Sequence, residues 1–301
     1  TCALPISPAL PIHISTQANT LNKFAVKAWH NMGAERVVLA RELSLKEVKE
    51  IHEFCPAVEL EAFAHGAMCI SYSGRCLLSN YLNGRDANRG ECVQACRWSY
   101  EIRESNKGGE FYPIEQDEKG TYILNSKDLN MISHIGEMLK SGIVSLKIEG
   151  RMKSEYYLAT VVNAYRRAID EFLKIGDSYC KNTSFYDELK KTNHRAFTTA
   201  YNFGDNAETV NYADTQSSGE RQFIAVVEDC AEGFITVEMR NRFKVGDELE
   251  VLSPSENFNK KFVVTEIFDE EGNSVTDAKI VQQKLKIACP FVLCEGDILR
   301  R

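Results

Sequence analysis

Four of the ten cysteines, Cys69, Cys76, Cys92 and Cys96, fall within 28 residues. Thiolates gathered that closely hold a metal or cluster, form disulfides, or do redox chemistry. The intervals between them are six, fifteen and three residues. Structural zinc favours two knuckles of two to four intervening residues, and only Cys92–Cys96 has that spacing. A four-thiolate iron–sulfur group accepts wider, uneven spacing, because it is larger and its ligands arrive from different loops. Disulfides require an oxidising compartment, and no secretory signal is legible. The residues alone leave an iron–sulfur site, a zinc site and unpaired thiols open.

The elements that must position these thiols alternate. Pro11 to Thr16 reads as a short strand. Helical spacing follows from Thr20 to Asn31, with Leu21, Phe24, Ala28 and Met32 on one face, and Gly33 ends it. Arg36 to Ala40 is an almost continuous apolar run, as parallel sheets require. Ser44 and Glu47 form a capping box for the next helix, and Val58 to Ala64 is a further strand. This is the pattern of parallel β/α units. After the cysteine loop, 106–120 reads as a surface hairpin, and Asn125 to Leu139 as a turn and helix. A strand follows at Val144 to Ile148, then a long helix from Glu155 to Ile175. Its expected apolar stripe is Leu158, Val161, Val162, Tyr165, Ile169 and Phe172. In such folds the chemistry lies at the C-terminal ends of the strands. The polar residues there are Ser15, Thr16 and Gln17; Arg41 and Glu42; Glu61 and His65; and Lys147, Glu149 and Arg151. The cysteine loop starts at one of these ends. Glu61, within a strand, is expected to pair with Arg41 or Lys147, since a buried charge needs a partner.

The run Glu61-x-Phe63-x-His65-Gly66-Ala67-x-Cys69, followed six residues later by Cys76, resembles the signature of peptidase family U32, the collagenase-like proteases. The stretch Gly74 to Trp98 most resembles that family's tRNA uridine 5-hydroxylation branch. Ser15 to Asn19, Arg41 to Ser44, Leu124 to Asp128 and Leu146 to Arg151 carry the resemblance further. It implies a (β/α)8 TIM-like barrel, of which the chain supplies the C-terminal half, followed by a small all-β barrel. It also implies oxygen-independent hydroxylation of the tRNA wobble uridine to 5-hydroxyuridine. The implied cofactor is a 4Fe-4S cluster on Cys69, Cys76, Cys92 and Cys96, with prephenate as hydroxyl source. Other branches act on ribosomal RNA cytidine or the ubiquinone ring. The expected catalytic residues are His65, Lys147 and Arg151. The expected substrate-binding residues are Gln17, Arg41, Asn125 and Arg97, with cations provided for a dicarboxylate. The peptidase alternative lacks an H-E-x-x-H helix and a G-x-S-x-G elbow; Cys69 with His65 is its one nearby nucleophile–base pair.

Four units do not close a barrel, because closure takes eight. An open half is expected to expose an apolar edge and inner strand faces. Residues 1–9 read as a non-native leader, 10–180 as the partial barrel with its cluster loop at 66–100, 181–218 as a connector and 219–301 as the β-barrel. Within the connector, His194 to Thr199 resembles a family segment that usually continues with Gly where Ala200 stands. From Gly219 the apolar pattern switches to period two, and Lys244 to Leu252 resembles the barrel module of translation factors. The 44% apolar and 26% charged content is that of a globular protein. No apolar run approaches the roughly 18 to 20 residues of a membrane span. The reading is of a cytoplasmic protein with reduced thiols. A net charge of −7 runs against a nucleic-acid partner in bulk, although a local basic patch suffices for one.

Overall fold

The structure is a computed structural model that describes residues 10–69, 71–98, 101–103, 111–113, 126–176, 179, 183–204 and 219–301. The expected leader at 1–9, Asn125 and the side chain of Arg97 lie outside the described residues. The chain divides into two compact units.

The first unit comprises 1–151, 168–182 and 194–217. Its sheet is built from β1 (Ile12–Ile14), β2 (Ala34–Val38), β3 (Glu59–Ala67) and, after a short β4–β5 hairpin (Glu101–Arg103 with Phe111–Pro113), from β6 (Asp128–Asn130), β7 (Ile143–Ile148) and β8 (Phe197–Thr198). β1, β2, β3 and β7 pair in that order, all parallel. The sequence pattern anticipates these four strands. It does not anticipate β6, which pairs antiparallel with the end of β3, or β8, which pairs parallel with β6.

Helices α1 (Lys23–Asn31), α2 (Leu45–Phe54), α3 (Leu78–Asn83) and α4 (Ile135–Lys140) connect the strands. The expected capping box opens α2: the Ser44 side chain accepts from the Glu47 N–H, and Glu47 accepts from the Ser44 N–H at 2.8 Å. The expected face of α1 is wrong. Phe24 and Met32 are 67% and 52% exposed, and Val26 is the fully buried residue. Phe24 instead meets Phe54 edge-on at 5.5 Å, beneath Lys23.

One sheet face is apolar. Val37, Leu39, Leu60, Ala64 and Ile143 are all at most 3% exposed. The opposite face was expected to bare apolar residues if the barrel is open. It carries an ion-paired ladder instead. Arg36 binds Glu59 and Glu61, and Glu61 accepts from Lys147 Nζ at 3.2 Å and Ser145 Oγ at 2.9 Å. Val38 and Phe63 share that face and are buried at 5% and 6% exposure, with the Arg41 and Lys147 cations over the Phe63 ring.

The second unit comprises 152–167, 183–193 and 218–301. Two stretches that the sequence division gives to the barrel and the connector therefore pack with the C-terminal strands. The first is the N-terminal part of α5 (Glu155–Ile175), the second α6 (Thr183–Lys190). The reason is specific bonding: Tyr156 stacks on Phe223 at 5.6 Å, and Arg167 donates to the carbonyls of Ser253, Pro254 and Ser255. On α5 the buried residues are Tyr156, Tyr157, Thr160, Val161, Ala164, Tyr165 and Ala168, whereas Leu158 and Val162 of the expected stripe are exposed.

The strands of this unit are β9 (Phe223–Ala231), β10 (Phe234–Met239), β11 (Phe243–Lys244), β12 (Glu248–Leu252), β13 (Lys261–Val263), β14 (Ile267–Phe268), β15 (Ser274–Val275), β16 (Asp277–Ala278), β17 (Lys284–Ala288) and β18 (Ile298–Arg300). Eight form one antiparallel ladder in the order β13-β12-β18-β9-β10-β17-β14-β15, and β11 pairs with β16. They enclose one apolar core that includes Ile224, Val237, Phe243, Val251, Ile267 and Leu299. No described helix is long and apolar enough to cross a membrane.

Candidate functional site

The strand ends of the first unit meet around a cavity of about 170 Å³. Cys69, Cys76, Cys92 and Cys96 all line it, together with Gln17, Arg41, Glu149 and Arg151. Each group arrives from a different strand end: Gln17 after β1, Arg41 after β2, Cys69 after β3 and Arg151 after β7.

Two glycines make this convergence possible. Gly66 has φ +103°, and a Cβ there would lie 2.2 Å from Glu149 O. Gly74 has φ +75°, and its Cβ would lie 2.1 Å from Gln17 O. Backbone touches backbone at both points, which a side chain forbids. The cysteine loop is thereby pressed onto the loops that follow β1 and β7. Further bonds fix it. The Ser73 N–H donates to Glu42 Oε1 at 2.8 Å, the Ser73 hydroxyl donates to the same carboxylate, and the Arg41 N–H reaches Ser73 Oγ at 3.4 Å. Asn88 Nδ2 donates to Gly74 O, and Gln17 Nε2 to Ala87 O.

None of the four thiols is joined in a disulfide among the described residues. Cys92 Sγ accepts from the Gln94 N–H at 3.3 Å and the Ser79 hydroxyl at 3.6 Å. Such donors stabilise a thiolate. Burial pushes the Cys69 thiol up; Ser71 and Arg41 pull it down, and the nearby Cys76 and Cys92 push it up again. Among the described residues, no three His, Cys, Asp or Glu side chains converge tightly enough to hold a single metal ion.

Arg41 lies with its guanidinium 3.7 Å from the centroid of Phe63, and Lys147 Nζ lies 5.7 Å from the same ring. Arg41 is thus stacked and oriented before any ligand arrives. The Arg151 guanidinium lies beside Gly90, where an added Cβ would stand 3.3 Å from Nη1.

The expected residues do not all fall in one place. Gln17, Arg41 and Arg151 line the cavity. Lys147 does not; it caps Glu61, as expected for a charge inside the sheet. His65 is 1% exposed, does not line the cavity, and packs at 5.7 Å on Phe197. Sequence reasoning missed Ser73, Ser79 and Gln94 as elements of the site. Their signal was weak, because each acts through one N–H or hydroxyl on a loop.

The chain thus combines a β/α sheet, parallel through β1, β2, β3 and β7, whose loops bring four thiols and two arginines to one cavity, with a unit dominated by antiparallel strands. The profile described as "Peptidase family U32" matches residues 2–212, and that of "Peptidase family U32 C-terminal domain" matches 219–300. The chain belongs to peptidase family U32. It is 38% identical over 295 residues to "tRNA hydroxylation protein P" of Escherichia coli strain K12, covering 84% of this chain and 64% of that protein. It is 37% identical over 309 residues to "tRNA hydroxylation protein P1" of Bacillus subtilis strain 168, covering 98% and 70%. It is also 38% identical over 187 residues to "Collagenase" of Porphyromonas gingivalis strain W83, covering 59% and 42%. The chain spans between 53% and 70% of the length of the tRNA hydroxylation proteins it matches.

Proposed function

We propose that this chain carries the cofactor-bearing part of a cytoplasmic enzyme that hydroxylates tRNA uridine at C5 without molecular oxygen. The supporting observation is the shared cavity of Cys69, Cys76, Cys92 and Cys96 with Arg41 and Arg151. The names of the relatives point to RNA hydroxylation. The parallel strand order β1-β2-β3-β7 is consistent with half of a (β/α)8 barrel.

The donor set fits an iron–sulfur cluster better than one zinc ion. Four thiols reach the cavity from spread loop positions, and they do not converge on a single ion position. N–H and O–H donors to sulfur are a feature of such centres. Cys69, Cys76, Cys92 and Cys96 would hold a 4Fe-4S cluster, which supplies one-electron redox chemistry when bound. The protein's own residues then do the rest. Arg41, pre-oriented on Phe63, and Arg151 bind a dicarboxylate co-substrate such as prephenate, each gripping a carboxylate through paired N–H donors. Gln17 offers its side-chain amide to the same ligand. Glu61 neutralises Lys147, and the packed loops keep the cavity small and limit the water in it.

A peptidase reading needs Cys69 activated by His65. His65 is buried against Phe197 and does not line the cavity that holds Cys69, so the geometry does not favour it. The test is mass spectrometry of tRNA from a deletion strain complemented with the gene or its Cys76→Ala variant. Loss of 5-hydroxyuridine in the variant supports the proposal. Undiminished 5-hydroxyuridine overturns it. Anaerobic purification should yield about four iron and four sulfide per protein.

A further inference from the structure

The His194–Thr199 segment stands out in the sequence, yet the thiol cavity does not use it. Its position follows from register. Phe197 on β8 opposes Asp128 on β6, and Asp128 opposes Ala67 on β3. Phe197 therefore sits two strands across from Ala67, which lines the cavity two residues before Cys69. The segment flanks the site at the level of its floor.

The imidazole of His194 stacks on the Phe197 ring, with centroids 4.2 Å apart and planes 14° apart. Behind them, His65 meets Phe197 at 5.7 Å and 56°. His65 is 1% exposed, whereas His194 and Phe197 remain part-exposed. The pair is held rigidly. The Arg195 N–H donates to Oδ2 of the fully buried Asp128 at 3.1 Å, and His194 Nδ1 lies 2.7 Å from Arg195 O. A carbonyl only accepts, so Nδ1 carries the proton and Nε2 of the neutral ring is an acceptor. Nε2 has no hydrogen-bond partner among the described residues.

A stacked, part-exposed ring pair with a fixed tautomer, beside a reaction cavity, has the makings of a nucleobase platform. Proteins that read unpaired bases stack them on aromatic or histidine rings and bond their edges. We propose that His194 and Phe197 form a platform on which an unpaired uracil of the RNA substrate stacks face to face. This rests on the RNA-modifying reading above and gives the substrate its place in the site.

The test uses the whole chain and a stem–loop RNA whose single unpaired target is 5-iodouridine or 5-iodocytidine. Irradiation should cross-link the uridine probe to the peptide containing His194 and Phe197. Stacking of one base implies that His194→Ala weakens RNA affinity about 5- to 100-fold. His194→Phe keeps the stacking surface and should restore most of the affinity. Iron content should be unchanged in both variants. Unchanged affinity in His194→Ala, or cross-links confined to other peptides, overturns the platform while leaving the RNA reading intact. If the wild-type chain binds neither probe, both fail together.

Discussion

Glu42 and Ser73 form the clasp that fastens the cysteine loop to the sheet. Ser73 is 4% exposed and gives both its N–H and its hydroxyl to the Glu42 carboxylate. It sits midway between Cys69 and Cys76, and its hydroxyl also receives the N–H of Arg41. One side chain thus ties the first two thiols to the loop that bears the oriented arginine. Glu42→Ala leaves a buried N–H and hydroxyl unpaired, a cost of about 1 to 3 kcal/mol in local stability. Amide exchange at Ser73 should accelerate at least about fivefold, since about 1.4 kcal/mol corresponds to a factor of ten. A rate unchanged by the substitution would remove Glu42 from its positioning role. Glu42→Gln, which keeps an acceptor oxygen, should show a smaller effect.

Phe63 holds Arg41 by stacking at 3.7 Å. A cation on an aromatic ring gains about 0.5 to 2 kcal/mol depending on desolvation. Phe63→Leu keeps the apolar volume and removes that gain. With the proposed carboxylate co-substrate, its KM should rise about 2- to 30-fold while kcat stays within about twofold. Steady-state kinetics at saturating RNA separate the two. A fall in kcat with unchanged KM would show that Arg41 does something other than bind.

What the sequence made legible depended on how locally each feature is determined. The Ser44–Glu47 box could be read because its partners lie three residues apart. Strands β2, β3 and β7 could be read because buried parallel strands are short apolar runs, whereas β1 is a half-exposed Ile-His-Ile read from its place in the alternation. The Glu61–Lys147 pair followed from the cost of an unpartnered charge. The misread helix faces share one cause: large apolar residues were taken as the buried ones. Phe24, Met32, Leu158 and Val162 are exposed, while Val26, Thr160, Ala164 and Ala168 are fully buried, because small side chains let neighbouring elements approach closely. β6, β8 and β18 are two or three residues long, and β6 and β18 carry the charged Asp128 and Arg300. Their pairing is set by distant partners, and no periodicity survives at that length. The gathering of the thiols depends likewise on Gly66 and Gly74 meeting backbones far away in sequence.

Ala200 has φ +48°, in the left-handed region that disfavours a Cβ. The resemblance noted above usually places glycine at this position. Ala200 is buried, and its N–H donates to Thr198 Oγ1, so the conformation is held by its surroundings. Relief of about 1 to 2 kcal/mol is partly offset by the greater freedom of glycine in the unfolded chain. Ala200→Gly should therefore stabilise the protein by about 0.5 to 1 kcal/mol. Urea denaturation with an unchanged m-value measures it; a destabilised variant would show that the methyl contributes more by packing than it costs in strain.

In the second unit, Tyr156 is 5% exposed, and its hydroxyl donates to Lys191 O at 3.2 Å. Burial above all pushes its phenol up to about 12, against the pull of Arg300. A folded-state value above the unfolded one favours the protonated form, so its contribution is complete below about pH 10 and is lost as pH rises toward about 12. The second unit should lose stability across that window. Absorbance of the phenolate near 295 nm should show one tyrosine titrating with unfolding, and Tyr156→Phe should shift the alkaline transition upward. An alkaline midpoint that ignores the substitution would assign the transition to other groups.

Arg300 is fully buried and joins three segments of the second unit. Its Nη1 lies 2.6 Å from Glu188 on α6, its Nε donates to Glu250 on β12 at 2.8 Å, and its Nη2 donates to Asn259. Lys191 completes the group by binding both glutamates. Burial alone would raise the Glu250 carboxyl, yet Lys191 and Arg300 outweigh it and hold the group below its usual range. A depressed value means stability that is present above the unfolded pKa, about 4, and lost as pH falls through the folded one. Arg300→Met leaves two buried carboxylates sharing one lysine. Removing one partner from such a group costs about 3 to 5 kcal/mol. The variant should also reverse the acid response, becoming relatively more stable as pH drops toward about 4 and the orphaned carboxylates take up protons. Denaturant midpoints at pH 7 and pH 4.5 test this: wild type should weaken or hold steady on acidification, while Arg300→Met should recover part of its deficit. A deficit that is the same at both pH values would mean that shape, not charge, is what Arg300 contributes.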